Sequence, residues 1–275
     1  MKNCRLFAFD LDGTMLQKGN RLTPAAENAL QKAHEAGILT VPATGRLRDF
    51  LPPCLTALPF IRYAITSNGA AVYDLKTGEL LSSCLIPCET ACRVLEILSE
   101  YPIYMEFYAD GRAVTKAGEP EIAMEKYSLP EEKRLFLQKN YLLVPDLVAY
   151  LKETSICPEK INLPYLTPEI RQGLLARLSQ MEEISLTSSV PDNLEINAAQ
   201  CSKGVGLAGL CRALNIVPEE TAAIGDNGND VEMLKFAGFP IAMGNGTEEV
   251  KKIARAVAPS CEEDGAARAI LDWIL

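Results

Sequence analysis

The 275-residue chain is 48% hydrophobic and 23% charged, enough apolar material for one large or two moderate globular domains. Its 27 basic residues against 36 acidic ones leave a net charge of −9, which argues against nonspecific nucleic-acid binding, since that relies on basic patches. No apolar run reaches the roughly 20 residues of a membrane-spanning helix, so neither nucleic acid nor membrane is an expected partner.

The chain opens with "RLFAFD", a near-continuous apolar run that predicts a parallel strand covered on both faces. This run is too short, and meets acids too soon, to read as a signal peptide, so a cytoplasmic protein is the expectation. A helix follows, with Thr23 as N-cap, Pro24 in its first turn and Gly37 past its end. It carries the sole histidine, His34, whose isolation removes Ser-His-Asp and Cys-His mechanisms. "ILTVPATG" predicts a second strand, the stretch near Leu47 to Leu58 a helix, and "YAITSN" a third strand. This alternation predicts an α/β fold with a doubly wound parallel, Rossmann-like core sheet. "AAVYDLKTGELLSSC" reads as a hairpin turning at Lys76-Thr77-Gly78.

The middle of the chain changes character. "ETACRVLEILSEY" predicts a helix, "IYMEFYADGRAVT" a hairpin with Asp110-Gly111 at its turn, and "CPEKINLPYL" a strand. "TPEIRQGLLARLSQM" predicts a capped helix and "ISLTSSVPDNLEINA" a pair of short strands. Hairpin-paired strands with helices between them indicate a separate α+β unit. After Lys203 the alternation returns through "KGVGLAGLCRALNI", "TAAIGD", "NDVEMLKFAG", "PIAMGN", "EEVKKIARA", "AVAP" and "DGAARAILDWIL". The catalytic core is therefore expected over 1–84 and 191–275, with an inserted cap over 85–190.

Nine cysteines, an odd number, favour reduced thiols. Cys84, Cys88 and Cys92 recur at four-residue spacing, but Pro87 interrupts the run and no histidine is near. Small, partly buried thiols are expected there rather than a zinc site.

The polar signals fall at the carboxyl ends of predicted strands or the amino ends of helices. Asp10 and Asp12 follow the first strand, Thr44-Gly45-Arg46 the second and Ser67-Asn68-Gly69 the third. Lys203-Gly204 opens a late helix, Gly225-Asp226 ends a late strand, and Asn229-Asp230 starts the next helix. In an open α/β sheet those ends share one edge, where ligands bind. Two carboxylates two residues apart repel unless a cation or a chemical task separates them. Asp10 and Asp226 would supply the oxygen-rich site that Mg²⁺ prefers, with substrate phosphate completing it. Asp10 can then attack phosphorus to form an aspartyl-phosphate. Asp12 is placed to protonate the leaving oxygen and later to deprotonate water. Gly13 permits the tight turn. Thr44 offers a hydroxyl and an adjacent N–H to the phosphoryl oxygens, and Lys203 an ammonium.

"DLDGT", "TGR", "SNGA", "KG", "GDNGND" and "AMGNG", in this order over nearly the whole chain, resemble the haloacid dehalogenase superfamily, in particular its Cof-like phosphatase branch with a large α/β cap. The resemblance implies Asp10 as nucleophile and Asp12 as acid/base, the latter also giving its backbone carbonyl to Mg²⁺. It implies phosphate contacts from the Leu11 backbone, Thr44, Gly45, Lys203 and Asn229, with Asp226 as metal ligand and Asp230 as an auxiliary residue behind the ligands. Dehalogenase activity is not expected, because Asp12 is the phosphatase hallmark.

The inserted cap is expected to set specificity by closing over the crevice and excluding water. Glu195 and Asn197, in "NLEINAA", are candidates to reach the substrate, and Arg46 is a candidate for the phosphate or the leaving group. The expected function is a Mg²⁺-dependent phosphomonoesterase, monomeric or weakly oligomeric. Its substrate would be a small phosphorylated metabolite, a sugar phosphate among the candidates. Two alternatives remain open: a phosphomannomutase-like phosphomutase, and a non-catalytic phosphoacceptor or ligand-binding regulator.

Overall fold

The computed structural model describes residues 3–127, 136–137, 139–188 and 192–275. Its first strands are β1 (Leu6–Phe9), β2 (Leu39–Pro42), β3 (Tyr63–Thr66), β4 (Ala71–Asp74) and β5 (Leu80–Ser83). Then come β6 (Glu106–Ala109), β7 (Arg112–Lys116), β8 (Tyr141–Val144), β9 (Lys160–Leu163), β10 (Ile184–Thr187) and β11 (Leu194–Ala198). The last are β12 (Thr221–Gly225), β13 (Phe239–Ala242) and β14 (Ala256–Val257). The chain divides into two compact units: one runs to Ser83 and resumes from Ser202 to Leu275, and the other is Cys84–Cys201.

In the first unit, five parallel strands form a sheet in the order β14-β13-β12-β1-β2. The apolar run of β1 is buried on both faces, as its sequence predicts. Phe7 and Phe9 pack with Ala26, Ala29 and Leu30 of the helix Pro24–Glu35 and with Ile270 near the C-terminus. Leu6 and Ala8 point the other way, among Leu207 and Leu210 of the helix Lys203–Leu214 and Met233 of the helix Val231–Phe236. Thr23 caps the first of these helices by accepting the Ala26 N–H at 3.1 Å, and His34 on its exposed side stacks on Phe60.

Two expectations for this unit are corrected. The predicted third strand, β3, meets the parallel sheet only through an isolated bridge between Ala43 and Ile65. Its full pairing is antiparallel, in a three-stranded sheet ordered β3-β4-β5. The helix predicted near Leu47 to Leu58 is a single 3₁₀ turn, Arg48–Phe50, and a short helix, Pro53–Thr56. Pro53 forces Pro52 into extended backbone (φ −62°, ψ 136°), which splits the segment.

The second unit is built on a six-stranded sheet ordered β10-β11-β9-β6-β7-β8. Its pairs are antiparallel except β7 with β8. The β6–β7 hairpin turns at Asp110 (φ 53°) and Gly111 (φ 76°), the left-handed pair that a two-residue turn requires. The return to the core was expected at 191, between residues that lie outside the described ones. Within the described residues, β11 stays in the inserted sheet, hydrogen-bonded to β10 and β9, and the second crossing falls after Cys201. Three further elements were not predicted: the helices Glu119–Lys126 and Leu147–Thr154, and β8 between them. Each spans only four to eight residues, too short for periodicity to announce it. Among the described residues no helix is long and apolar enough to cross a membrane.

Candidate active site

The chain leaves β1 for β2 on one side, while β12 lies on the other side of β1. The carboxyl ends of β1 and β12 therefore flank the switch point at which open α/β sheets bind ligands. The Asp10 N–H donates to the Ile224 carbonyl at 3.0 Å, which carries the β1–β12 ladder to the site's edge. Beyond it the loop folds on itself, with the Thr14 and Leu16 N–H groups donating to the Leu11 carbonyl at 3.3 and 2.8 Å. Gly13 sits at φ +85°, and a Cβ there would fall 2.8 Å from Asp226 Oδ2. Only glycine lets this loop lie against Asp226. Thr14 Oγ1 donates to Asp226 Oδ1 at 2.9 Å, and Asn245 Nδ2 holds the Gly13 carbonyl at 2.9 Å.

Asp10, Asp226 and Asp230 each present an oxygen within 4.8 Å of the others. Among them lies Lys203, wholly buried, with Nζ 2.5 Å from Asp10 Oδ1 and 2.6 Å from Asp230 Oδ1. The second Asp230 oxygen accepts the Asp226 and Asn227 N–H groups at 2.9 and 3.0 Å. Asp230 thus fixes Lys203 and the turn after β12. The electrostatics reflect this crowding. Burial raises the Asp10 carboxyl well above its usual range, Asp230 and Asp226 push it further, and Lys203 opposes them. Asp226 is raised by burial and then by Asp230. Burial works against the Lys203 ammonium, but Asp10 and Asp230 outweigh it and hold the group charged above its usual range.

One buried cation for three carboxylates, two buried and Asp226 half-buried, leaves excess negative charge made of hard oxygen donors, the chemistry that suits Mg²⁺. Asp230 is the most engaged of the three, with Lys203 and two backbone N–H groups, which leaves Asp10 and Asp226 as the better placed for a cation. These two side chains come within hydrogen-bonding reach of one another, so the pairing read from the sequence fits the residues present.

The other predicted residues are held as follows. Thr44 is buried; its N–H donates to the Ile65 carbonyl at 2.9 Å, and its hydroxyl oxygen accepts the Arg46 N–H at 3.1 Å. The hydroxyl hydrogen remains able to donate, while the Thr44 N–H is committed. Gly45, beside it, is half-buried. Asn229 is half-buried and donates through Nδ2 to Asn68 Oδ1 at 3.3 Å. The Arg46 guanidinium forks onto Asp12. Nε lies 2.9 Å from Oδ2, and Nη2 lies 2.5 Å from Oδ1 and 2.6 Å from Asn20 Oδ1. Its partner is the candidate acid/base itself, whose side chain is 60% exposed.

Glu195 and Asn197 lie on β11 and so belong to the second unit. Glu195 Oε1 is 3.3 Å from Lys160 Nζ and accepts from Asn193 Nδ2 at 3.2 Å. Asn197 Nδ2 donates to the Glu159 carbonyl at 3.4 Å. The register aligns Glu106, Asn162 and Glu195 across three strands, and Glu106 accepts from Tyr104, Tyr108 and Asn162. Of the thiols at four-residue spacing, Cys88 and Cys92 hydrogen-bond to each other, while Cys84 looks elsewhere. Cys84 shares a hydrogen bond with Cys201, and Cys88 donates to the Leu151 carbonyl at 3.4 Å.

Two contributors were not singled out in the sequence. Thr14 and Asn245 stand in motifs already quoted, but their partners are 212 and 232 residues away. Ser67, Asn68 and Gly69 have φ of 51°, 58° and 93°. Left-handed backbone at a non-glycine costs on the order of 1–3 kcal/mol per residue and persists only where surroundings impose it. Here the Ser67 and Asn68 N–H groups donate to the Arg46 and Thr44 carbonyls at 2.8 and 3.0 Å, clasping the loops after β2 and β3.

Comparison with known proteins is consistent with this geometry. A family profile described as haloacid dehalogenase-like hydrolase matches residues 7–270. Phosphatase YwpJ of Bacillus subtilis is 31% identical over 279 aligned residues, covering 96% of this chain and 97% of its own. Pyridoxal phosphate phosphatase YbhA of Escherichia coli is 31% identical, covering 98% and 99%. Among solved structures, a haloacid dehalogenase-like hydrolase from B. subtilis superposes with a TM-score of 0.79 at 28% identity, covering 98% of this chain and 99% of its own.

Proposed function

The chain belongs to the haloacid dehalogenase-like hydrolases as a phosphoric monoester hydrolase, and we propose that it cleaves a small phosphorylated metabolite through an aspartyl-phosphate on Asp10, with Mg²⁺. The observation that carries this reading is the convergence of Asp10, Asp226 and Asp230 on buried Lys203 at the ends of β1 and β12.

Asp10 Oδ2, the oxygen not held by Lys203, attacks phosphorus while the bond to the leaving oxygen breaks. Asp12 gives that oxygen its proton, then takes one from the water that attacks the phosphoenzyme, and Asp10 is regenerated as phosphate departs. Lys203, the Thr44 hydroxyl, the Leu11 and Gly45 backbone and Asn229 bind the phosphoryl oxygens, whose charge spreads as the bond breaks. Mg²⁺ would be held by Asp10, Asp226 and the Asp12 carbonyl, and when bound it neutralises phosphoryl charge and fixes its orientation. Asp230 keeps Lys203 charged and aimed. The inserted unit selects the leaving group. Similarity to a pyridoxal phosphate phosphatase places phosphorylated cofactors beside sugar phosphates in the substrate panel, and the setting of the reaction is the cytoplasm.

The test is phosphate release from p-nitrophenyl phosphate and from a panel of phosphorylated metabolites, with Mg²⁺ and with a chelator. Mg²⁺-dependent release that Asp10→Asn abolishes supports the reading. Isomerised sugar phosphate without free phosphate would identify a mutase, and phosphorylation of Asp10 without turnover a phosphoacceptor.

A further inference from the structure

The chain passes between its two units twice, and a cysteine stands at each passage. Cys84 opens the inserted unit and Cys201 closes it. Though 201 − 84 = 117 positions apart, the two thiols hydrogen-bond to each other. Neither is in a disulfide; Cys84 is half-buried and Cys201 buried. The Cys201 N–H donates to the Ala198 carbonyl at 2.9 Å, which fixes the turn that presents its thiol just after β11. Neither residue has a role in the reaction described above.

We propose that Cys84 and Cys201 form a peroxide-sensitive dithiol, closing to a disulfide across the two chain passages and slowing turnover. The roles of the two sulfurs follow from their surroundings. The hydrogen bond with Cys201 holds Cys84 down to about 7, against the effect of burial. Cys201 is pushed far up, first by that same hydrogen bond and then by burial. Cys84, the more accessible of the two, is the attacking cysteine, and buried Cys201 beside it the resolving one.

Hydrogen peroxide is the oxidant. The Cys84 thiolate attacks one peroxide oxygen, the O–O bond breaks, and Cys84 becomes a sulfenic acid with release of hydroxide. The Cys201 sulfur then attacks the Cys84 sulfur. The S–S bond forms as the S–O bond breaks, and the departing hydroxide takes the Cys201 proton as water. Over both steps, two thiols and one peroxide give one disulfide and two waters.

The bond would join the passages Ser83–Cys84 and Cys201–Ser202 into one covalent neck. Hinge positions work by absorbing backbone rotation, and these two could no longer rotate independently. The effect on turnover rests on the proposed phosphatase reaction, in which substrate entry and product release require the inserted unit to move.

The experiment treats the reduced protein, freed of added reductant, with hydrogen peroxide. We expect the intact mass to fall by two hydrogens and non-reducing peptide mapping to link Cys84 to Cys201. Turnover of p-nitrophenyl phosphate should fall several-fold, and dithiothreitol should reverse both changes. Cys84→Ser and Cys84→Ala, at the half-buried position, should keep their turnover in peroxide. Cys201→Ser should leave Cys84 as a sulfenic acid that dimedone traps. Absence of the link, or a link first between Cys88 and Cys92, overturns the site. A complete link with unchanged turnover overturns the switch. Peptide mapping needs no catalysis, so a chain without phosphatase activity would refute the reaction and leave the dithiol site to be judged separately.

Discussion

The Lys203 ammonium lies 2.5 Å from Asp10 Oδ1 with no exposure to solvent, so the candidate nucleophile and its counter-charge are buried as a pair. A second carboxylate, Asp230, holds the same nitrogen from 2.6 Å. Removing the cation strands two buried anions, a loss of about 3–5 kcal/mol for pairs of this kind. Lys203→Met is expected to lower unfolding stability by that order in urea titration and to abolish phosphate release. A variant of unchanged stability would mean that the buried ion pairs give no net stabilisation.

Asp12 differs from Asp10 in exposure and partner, which suits a group that must move protons. General acid–base catalysis contributes about 10²–10⁴-fold. Asp12→Asn should lose that factor with an alkyl phosphate, whose leaving oxygen needs a proton, and lose less with p-nitrophenyl phosphate, whose leaving group does not. Equal losses with both substrates would remove Asp12 from leaving-group protonation.

Arg46 engages both oxygens of Asp12, so its influence on the reaction should pass through that carboxylate. Hydrogen bonds to charged groups are worth about 1.5–3 kcal/mol, a factor of ten or more in rate. We expect Arg46→Ala to slow alkyl phosphate turnover by about that factor, with a smaller effect on p-nitrophenyl phosphate. Lysine cannot rebuild the two-pronged contact, so Arg46→Lys should not rescue. Full activity of both variants would reduce the fork to surface pairing.

Metal binding separates the acids differently. Asp226 faces Asp10 from β12, whereas the Asp12 side chain points to Arg46. Calorimetric titration with Mg²⁺ should show binding lost in Asp226→Ala and largely kept in Asp12→Ala, although both are inactive. Retained Mg²⁺ affinity in Asp226→Ala would place the metal elsewhere.

The β3–β4 hairpin carries a pH-dependent contribution to stability. Two nitrogens of Arg62 reach Asp74 Oδ2 at 2.9 and 2.8 Å, and the Lys76 N–H reaches Oδ1 at 2.9 Å. The Arg62 hydrogen bond holds the Asp74 carboxyl below its ordinary 3.8. A depressed carboxyl stabilises the fold above its unfolded value and loses that contribution as pH falls through its folded value. Asp74→Asn should therefore melt a few degrees lower at neutral pH, and the difference should shrink below pH 3.8. A constant gap across this range would mean that the effect is packing rather than charge.

The sequence by itself determined the chemistry and the edge on which it lies. The apolar run before Asp10 and the one before Asp226 could only be strands buried on both faces, and a parallel sheet collects such ends along one side. Tertiary structure decided which charge meets which. Nothing local tells that Lys203 divides itself between Asp10 and Asp230, that Arg46 takes Asp12, or that β11 stays in the inserted sheet. Hydrophobic periodicity records how a segment meets its immediate surroundings. The partner of a long charged side chain or of a strand edge depends instead on register between segments as far apart as the 193 positions from Asp10 to Lys203. Distances of that kind exist only once the chain has closed on itself.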